Sequence, residues 1–138
     1  MPSRRRSRQR ALQILFLWDA RRQPVDEAID SYYNILYGEE RPERDPFVAD
    51  LVRGTVQYVA EVDQQISRHA EHWRIERMPA VDRNVLRLAV YEMTRGGTPA
   101  PVSIDEALEL ARRFSNEESV QFVNGVLDAI HRAMARGA

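Results

Sequence analysis

SVQFVNGVLDAI, residues 119–130, admits two readings, and the choice between them sets the fold class. Asn124-Gly125 is a strong two-residue hairpin signal when its flanks alternate apolar and polar. Here they do not. Val123, Val126, Leu127 and Ile130 follow steps of three, one and three, which places them on one face of a helix. The spacing therefore predicts a helix over 117–134, capped by Asn116 or Ser115. A glycine inside a helix costs about 1 kcal/mol relative to alanine, so Gly125 is expected to admit a closely approaching backbone.

Working outward, each neighbouring segment carries the same period. Ser103-Ile104-Asp105-Glu106 reads as a capping box, opening a helix over 104–114 with Ile104, Ala107, Leu108 and Ala111 inward. Gly96-Gly97 with Pro99 and Pro101 break the chain before it. Residues 80–94 form a helix striped by Val81, Val85, Leu88 and Ala89 and widened by Leu86, Val90 and Met93. Trp73 to Met78 is a connector with room for one helical turn. Asp45-Pro46 supplies an N-cap and a first-turn proline for a long helix reaching His72. Residues 25–37 make a helix closed by Gly38, followed by a loop to Arg44. Residues 10–22 are apolar around most of their circumference, so that helix is expected to be central. The pattern predicts an all-α bundle of about seven helices, with 1–138 as one domain and 1–9 as a basic arm.

Charge is distributed unevenly along this frame. The net charge is −1 over 138 residues. Residues 1–22 carry seven arginines and one acid, a net of +6; residues 23–138 carry thirteen arginines and twenty acids, a net of −7. Every basic residue other than histidine is arginine, a planar fork that binds phosphate bidentately or stacks on a base. There is no cysteine, which excludes disulfides and thiolate chemistry. No run of about 18 apolar residues is present, and the N-terminus lacks the long apolar region of a signal peptide. A cytoplasmic protein with no membrane contact is expected.

The search for catalysis finds neither a phosphate-cradling GxxxxGK[ST] nor a GxGxxG. His69 and His72 lie three apart, but surface histidines near a helix C-terminus are favoured by the dipole without any metal. No catalytic residue, metal or cofactor is expected. The arginines say more. Positive charge at a helix N-terminus opposes the dipole, so residues 4–10 are expected to resist helix formation until a polyanion neutralises them. Single-stranded nucleic acid needs cations together with aromatic faces, and Phe16, Trp18 and Phe122 are available. The residues themselves thus point to a helical protein with a basic, nucleic-acid-binding arm.

DRNVLRLAVYEM (82–93), PVSIDEALELARRF (101–114) and SVQFVNGVLDAI (119–130), in that order, closely resemble the NusB family of transcription antitermination factors. RALQILFLW (10–18), behind an arginine cluster, resembles that family's first helix. The resemblance covers nearly the whole chain and is weakest over 20–45. It implies an all-helical fold of two small packed subdomains and no catalysed reaction. It also implies binding of boxA-type single-stranded RNA in ribosomal RNA transcripts, jointly with the small-subunit ribosomal protein NusE, within an RNA polymerase antitermination complex. By position, the resemblance implies RNA contacts from Arg4, Arg5, Arg6, Arg8, Arg10, Phe16 and Phe122. It implies that Asp82 and Glu118 face the ribosomal-protein partner. The arm departs from some members in having no lysine. Three alternatives stay open: a protein-interaction adapter that does not touch RNA, a NusB-like fragment of an RNA methyltransferase, and a homodimer that buries the arm.

Overall fold

In a computed structural model the described residues are 3–35 and 43–137. They form seven α-helices and one 3₁₀ turn: α1 (Arg4–Arg21), α2 (Val25–Ile35), α3 (Pro46–Gln57), α4 (Val59–His69), the turn Ile75–Arg77, α5 (Ala80–Thr94), α6 (Ala100–Phe114) and α7 (Glu117–Ala135). The expected end of the second helix at residues 36–37, its closure by Gly38 and most of the following loop lie outside the described residues.

Helix α5 is the hub. It packs against α1, α3, α4, α6 and α7, and Val85, Leu86, Leu88, Ala89 and Val90 are all buried. On one side α1, α2 and α3 pack together; on the other α4, α6 and α7 close the bundle. The seam is apolar and shared: Ile14 and Leu15 of α1, Val48 and Val52 of α3, and Val123, Leu127 and Ile130 of α7 belong to the same buried cluster. The position expected for α1 therefore falls to α5. Helix α1 buries Ala11, Leu12, Ile14 and Leu15 but leaves Gln13 and Phe16 exposed.

Local chemistry explains the boundaries. Asp45 accepts from the Phe47 amide at 3.0 Å, and Asn116 accepts from the Ser119 amide at 2.9 Å; each caps its helix as the spacing predicts. Four expectations are corrected. Residues 4–10 are already helical, because anions of the body meet the arm. Ser3 caps α1 by accepting from the Arg6 amide, and Glu92 and Glu106 lie against Arg8 and Arg5. The helix expected over 46–72 is broken at Tyr58, which sits at φ −104° and ψ 18°, and its second part ends at His69. Tyr58 stacks on Tyr91 with ring centroids 6.3 Å apart, and the bend lets it do so. Helix α6 starts at Ala100, ahead of the capping box, since Pro101 is tolerated in a first turn; Ser103 is buried inside it, its hydroxyl without a partner. Gly125 faces open space, whereas a Cβ on Gly54 would collide with the Tyr91 ring. The backbone approach expected at Gly125 is not found there, and the crowding at Gly54 comes from a side chain.

Candidate nucleic-acid interface

The first five turns of α1 set out a graded surface. Helical geometry puts Arg6, Arg10, Gln13 and Phe16 along one exposed flank, spaced by steps of three and four over about 15 Å. Arg6 is exposed and its side chain meets no acid among the described residues. Arg10 is half-buried; its charge acts on the Tyr32 phenol, partly offsetting the burial that pushes that phenol up. The Arg4 guanidinium lies 3.9 Å from the centroid of the Phe47 ring. Arg5 reaches across to α6 and forks onto Glu106, at 3.2 and 3.4 Å.

Arg8 has a different role from the one expected of it. Its Nε and Nη2 donate to the two carboxylate oxygens of Glu92, each at 2.8 Å. The side chains are only 8% and 3% exposed. The Thr98 hydroxyl donates to the same carboxylate at 3.0 Å. Arg8 is thus a buried fastener between α1 and α5, with its guanidinium held inward against Glu92. The sequence places four equivalent arginines within five residues; burial separates this one from the rest.

Beyond the cations the surface becomes apolar. Phe16, 41% exposed, stands on the lip of a groove of about 360 Å³ whose walls include Leu12, Leu17, Tyr32, Val81 and Phe114. Its polar edge is Gln13, whose side-chain oxygen accepts from the Tyr32 hydroxyl at 2.6 Å. That leaves the Gln13 amide nitrogen able to donate outward.

A second groove adjoins the first at the start of α5, where Val81 lines one and Asp82 the other. Trp73, 51% exposed, meets Phe122 edge to face with centroids 6.3 Å apart. Asp82 is buried and accepts from Ser119 Oγ at 3.0 Å and Ser115 Oγ at 3.3 Å. Glu118 is exposed on the rim of that groove. The two acids singled out in the sequence thus share a site with unequal access: Asp82 forms its floor, Glu118 its edge.

Three members of this surface escaped the sequence reading: Trp73, Arg112 and Arg113. The last two close α6 beside Arg5 and Gln9. The run ARRF (111–114) offered a signal, but only the packing of α6 against α1 brings its cations to the arm. Among the described residues no group of three or more His, Asp or Glu is gathered to hold a metal, and no helix is long and apolar enough to cross a membrane.

Comparison with known proteins identifies the family. The chain matches the NusB family over residues 5–132. It is 80% identical over 134 residues to the transcription antitermination protein NusB of Solibacter usitatus (strain Ellin6076), covering 97% of this chain and 92% of that one. It is 43% identical over 139 residues to that of Myxococcus xanthus (strain DK1622), covering 97% and 98%. Among solved structures it resembles T. maritima NusB, with a TM-score of 0.82 at 35% identity over 95% of this chain and 92% of that one. It also resembles a chain of the antitermination factors NusB and NusE in complex with dsRNA, with a TM-score of 0.82 at 28% identity over 94% and 96%. The chain belongs to the NusB family.

Proposed function

We propose that this protein is a transcription antitermination factor that holds boxA-type RNA of ribosomal RNA transcripts together with the ribosomal protein NusE, in an RNA polymerase antitermination complex. The observation that carries this reading is the exposed flank of α1, where cations grade into an aromatic groove. Relatives named as antitermination proteins support it, and the similar chain solved with NusE and dsRNA supports pairing with NusE and contact with RNA.

The chemistry divides between two parts of the surface. Arg4, Arg5, Arg6 and Arg10 supply affinity through phosphate contacts and counterion release, with little sequence information. Phe16, Phe122 and Trp73 offer π-faces to unstacked bases, which a single strand presents and an A-form duplex hides. Glu118 offers an exposed carboxylate to a basic partner protein, and Asp82 sets the shape beneath it by holding Ser115 and Ser119. A joint surface turns two weak contacts into one stable complex. The factor works by binding alone, with no cofactor and no bond made or broken, in the cytoplasm where transcripts emerge.

A titration tests this. Binding is measured for a boxA-like strand, a scrambled strand and a duplex, with and without NusE, over a range of salt. Three to four neutralised phosphates give a slope of log affinity against log salt of about −2 to −3, from about −0.7 per phosphate on single strands. A slope near zero, or no binding at low salt even with NusE present, refutes the reading. Unchanged binding after replacing Arg4, Arg5, Arg6 and Arg10 with alanine favours the adapter reading instead.

A further inference from the structure

The groove between α1 and α6 holds charges of both signs. Arg5, Gln9, Glu106, Glu109, Arg112 and Arg113 border a space of about 380 Å³. Arg5 forks onto Glu106 at 3.2 and 3.4 Å, and Arg112 lies 2.8 Å from Glu109. Access to the first pair is unequal: the Arg5 side chain is 56% exposed, that of Glu106 only 18%. The cation can swing outward, while the acid is set into the groove wall. A carboxylate offers an arginine the same forked pair of acceptors as a phosphate does. Arg5 therefore meets any RNA with the Nε–Nη2 edge of its fork already engaged.

We infer that Glu106 is an internal phosphate mimic that holds down sequence-independent RNA binding by occupying Arg5. The inference rests on the RNA-binding reading above. A phosphate reaching Arg5 must displace Glu106 and leave that carboxylate beside the new anion. The cost falls on every RNA. It matters most for strands held by phosphate contacts alone, because a strand that also places bases in the aromatic grooves has other contacts to keep it bound.

The test is a titration of a boxA-like strand and a scrambled strand against the full chain and its Glu106→Gln variant, with Glu106→Ala as a second variant in case the amide re-engages Arg5. Helix content by circular dichroism checks folding. At low salt both strands are expected to bind the variants about two- to fivefold more tightly, the range spanned by exposed ion pairs. The salt slope should steepen by up to about 0.7, one phosphate contact on a single strand. Glu27→Gln, in the first turn of α2, removes the same charge without the pair and should leave affinity unchanged. In an Arg5→Ala background the gain from Glu106→Gln should vanish.

The inference is overturned if the Glu106 variants bind no tighter, if Glu27→Gln gives the same gain, or if the gain survives without Arg5. If the unaltered chain binds neither strand, with or without NusE, the RNA-binding reading fails first and the inference goes with it.

Discussion

Arg8 and Arg6 are two residues apart on one helix, yet replacing each with alanine should do opposite things. Truncating Arg8 leaves the Glu92 carboxylate buried at 3% exposure with only Thr98 donating to it. Breaking a buried ion pair by removing one partner costs about 3–5 kcal/mol, and the remaining Thr98 bond places this case near the lower end, about 3 kcal/mol. At about 2.1 cal/mol/K of unfolding entropy per residue, a chain of 138 residues should lose about 10 °C of melting temperature. Arg6 is exposed, and its removal should change stability by less than about 0.5 kcal/mol while reducing RNA affinity and flattening the salt slope by about 0.7. The assays are thermal unfolding followed by circular dichroism, and RNA titration at several salt concentrations. A third variant separates charge from packing. Replacing Arg8 and Glu92 together with methionine removes both ions and should recover most of the loss, since apolar replacement of a buried pair is often neutral. If Arg8→Ala melts with the unaltered chain yet loses RNA binding as Arg6→Ala does, Arg8 is a phosphate contact and the fastener argument is wrong.

Other consequences can be checked alongside. Burial pushes the Asp19 carboxyl up, but the Arg83 hydrogen bond, the Arg87 charge and the Asn84 hydrogen bond outweigh it and hold Asp19 below its ordinary value. A depressed acid stabilises the fold above its unfolded value of about 3.9 and loses that contribution as pH falls through the folded value. Denaturant unfolding followed from pH 5 down to about pH 2 should show an acid-side decline that is shallower in Asp19→Asn; an identical decline counts against the network. Gly54→Ala should destabilise by about 1–3 kcal/mol through overpacking on Tyr91. Gly125→Ala, facing open space in a helix, should stabilise by about 0.5–1 kcal/mol; in thermal melts, two losses would contradict the Gly125 assignment and two gains the Gly54 assignment. Phe16→Ala should leave the melting temperature nearly unchanged and weaken RNA binding by about 1–3 kcal/mol, the range for one base–aromatic stack.

Most helices were legible because their signals are local. The stripe of Val123, Val126, Leu127 and Ile130 excludes a hairpin at Asn124-Gly125 whatever packs against it, and α7 runs unbroken through that dipeptide. Asp45 and Asn116 cap from side chains two or three residues away. Where a local rule met a tertiary demand, the demand prevailed. Ser103 satisfies the capping-box pattern but sits inside α6, and the periodic run from Val48 to Ile66 bends at Tyr58, where that ring stacks on Tyr91.

The candidate site divides in the same way. Charge asymmetry between the first 22 residues and the rest is a property of the chain in any conformation, and the placing of Phe16 and Phe122 on helices follows from the local period around them. Which arginine faces water is not. Arg4, Arg5, Arg6 and Arg8 are chemically identical, and what separates Arg8 is a carboxylate 84 positions along the chain. Arg5 is likewise distinguished by Glu106, 101 positions away. Helical period, capping and net charge depend on neighbours within a few bonds, so the sequence alone determined them. Pairing of charges, the open or crowded surroundings of a glycine, and the gathering of Trp73, Arg112 and Arg113 onto the surface depend on which helices pack together, and only the tertiary structure decided those.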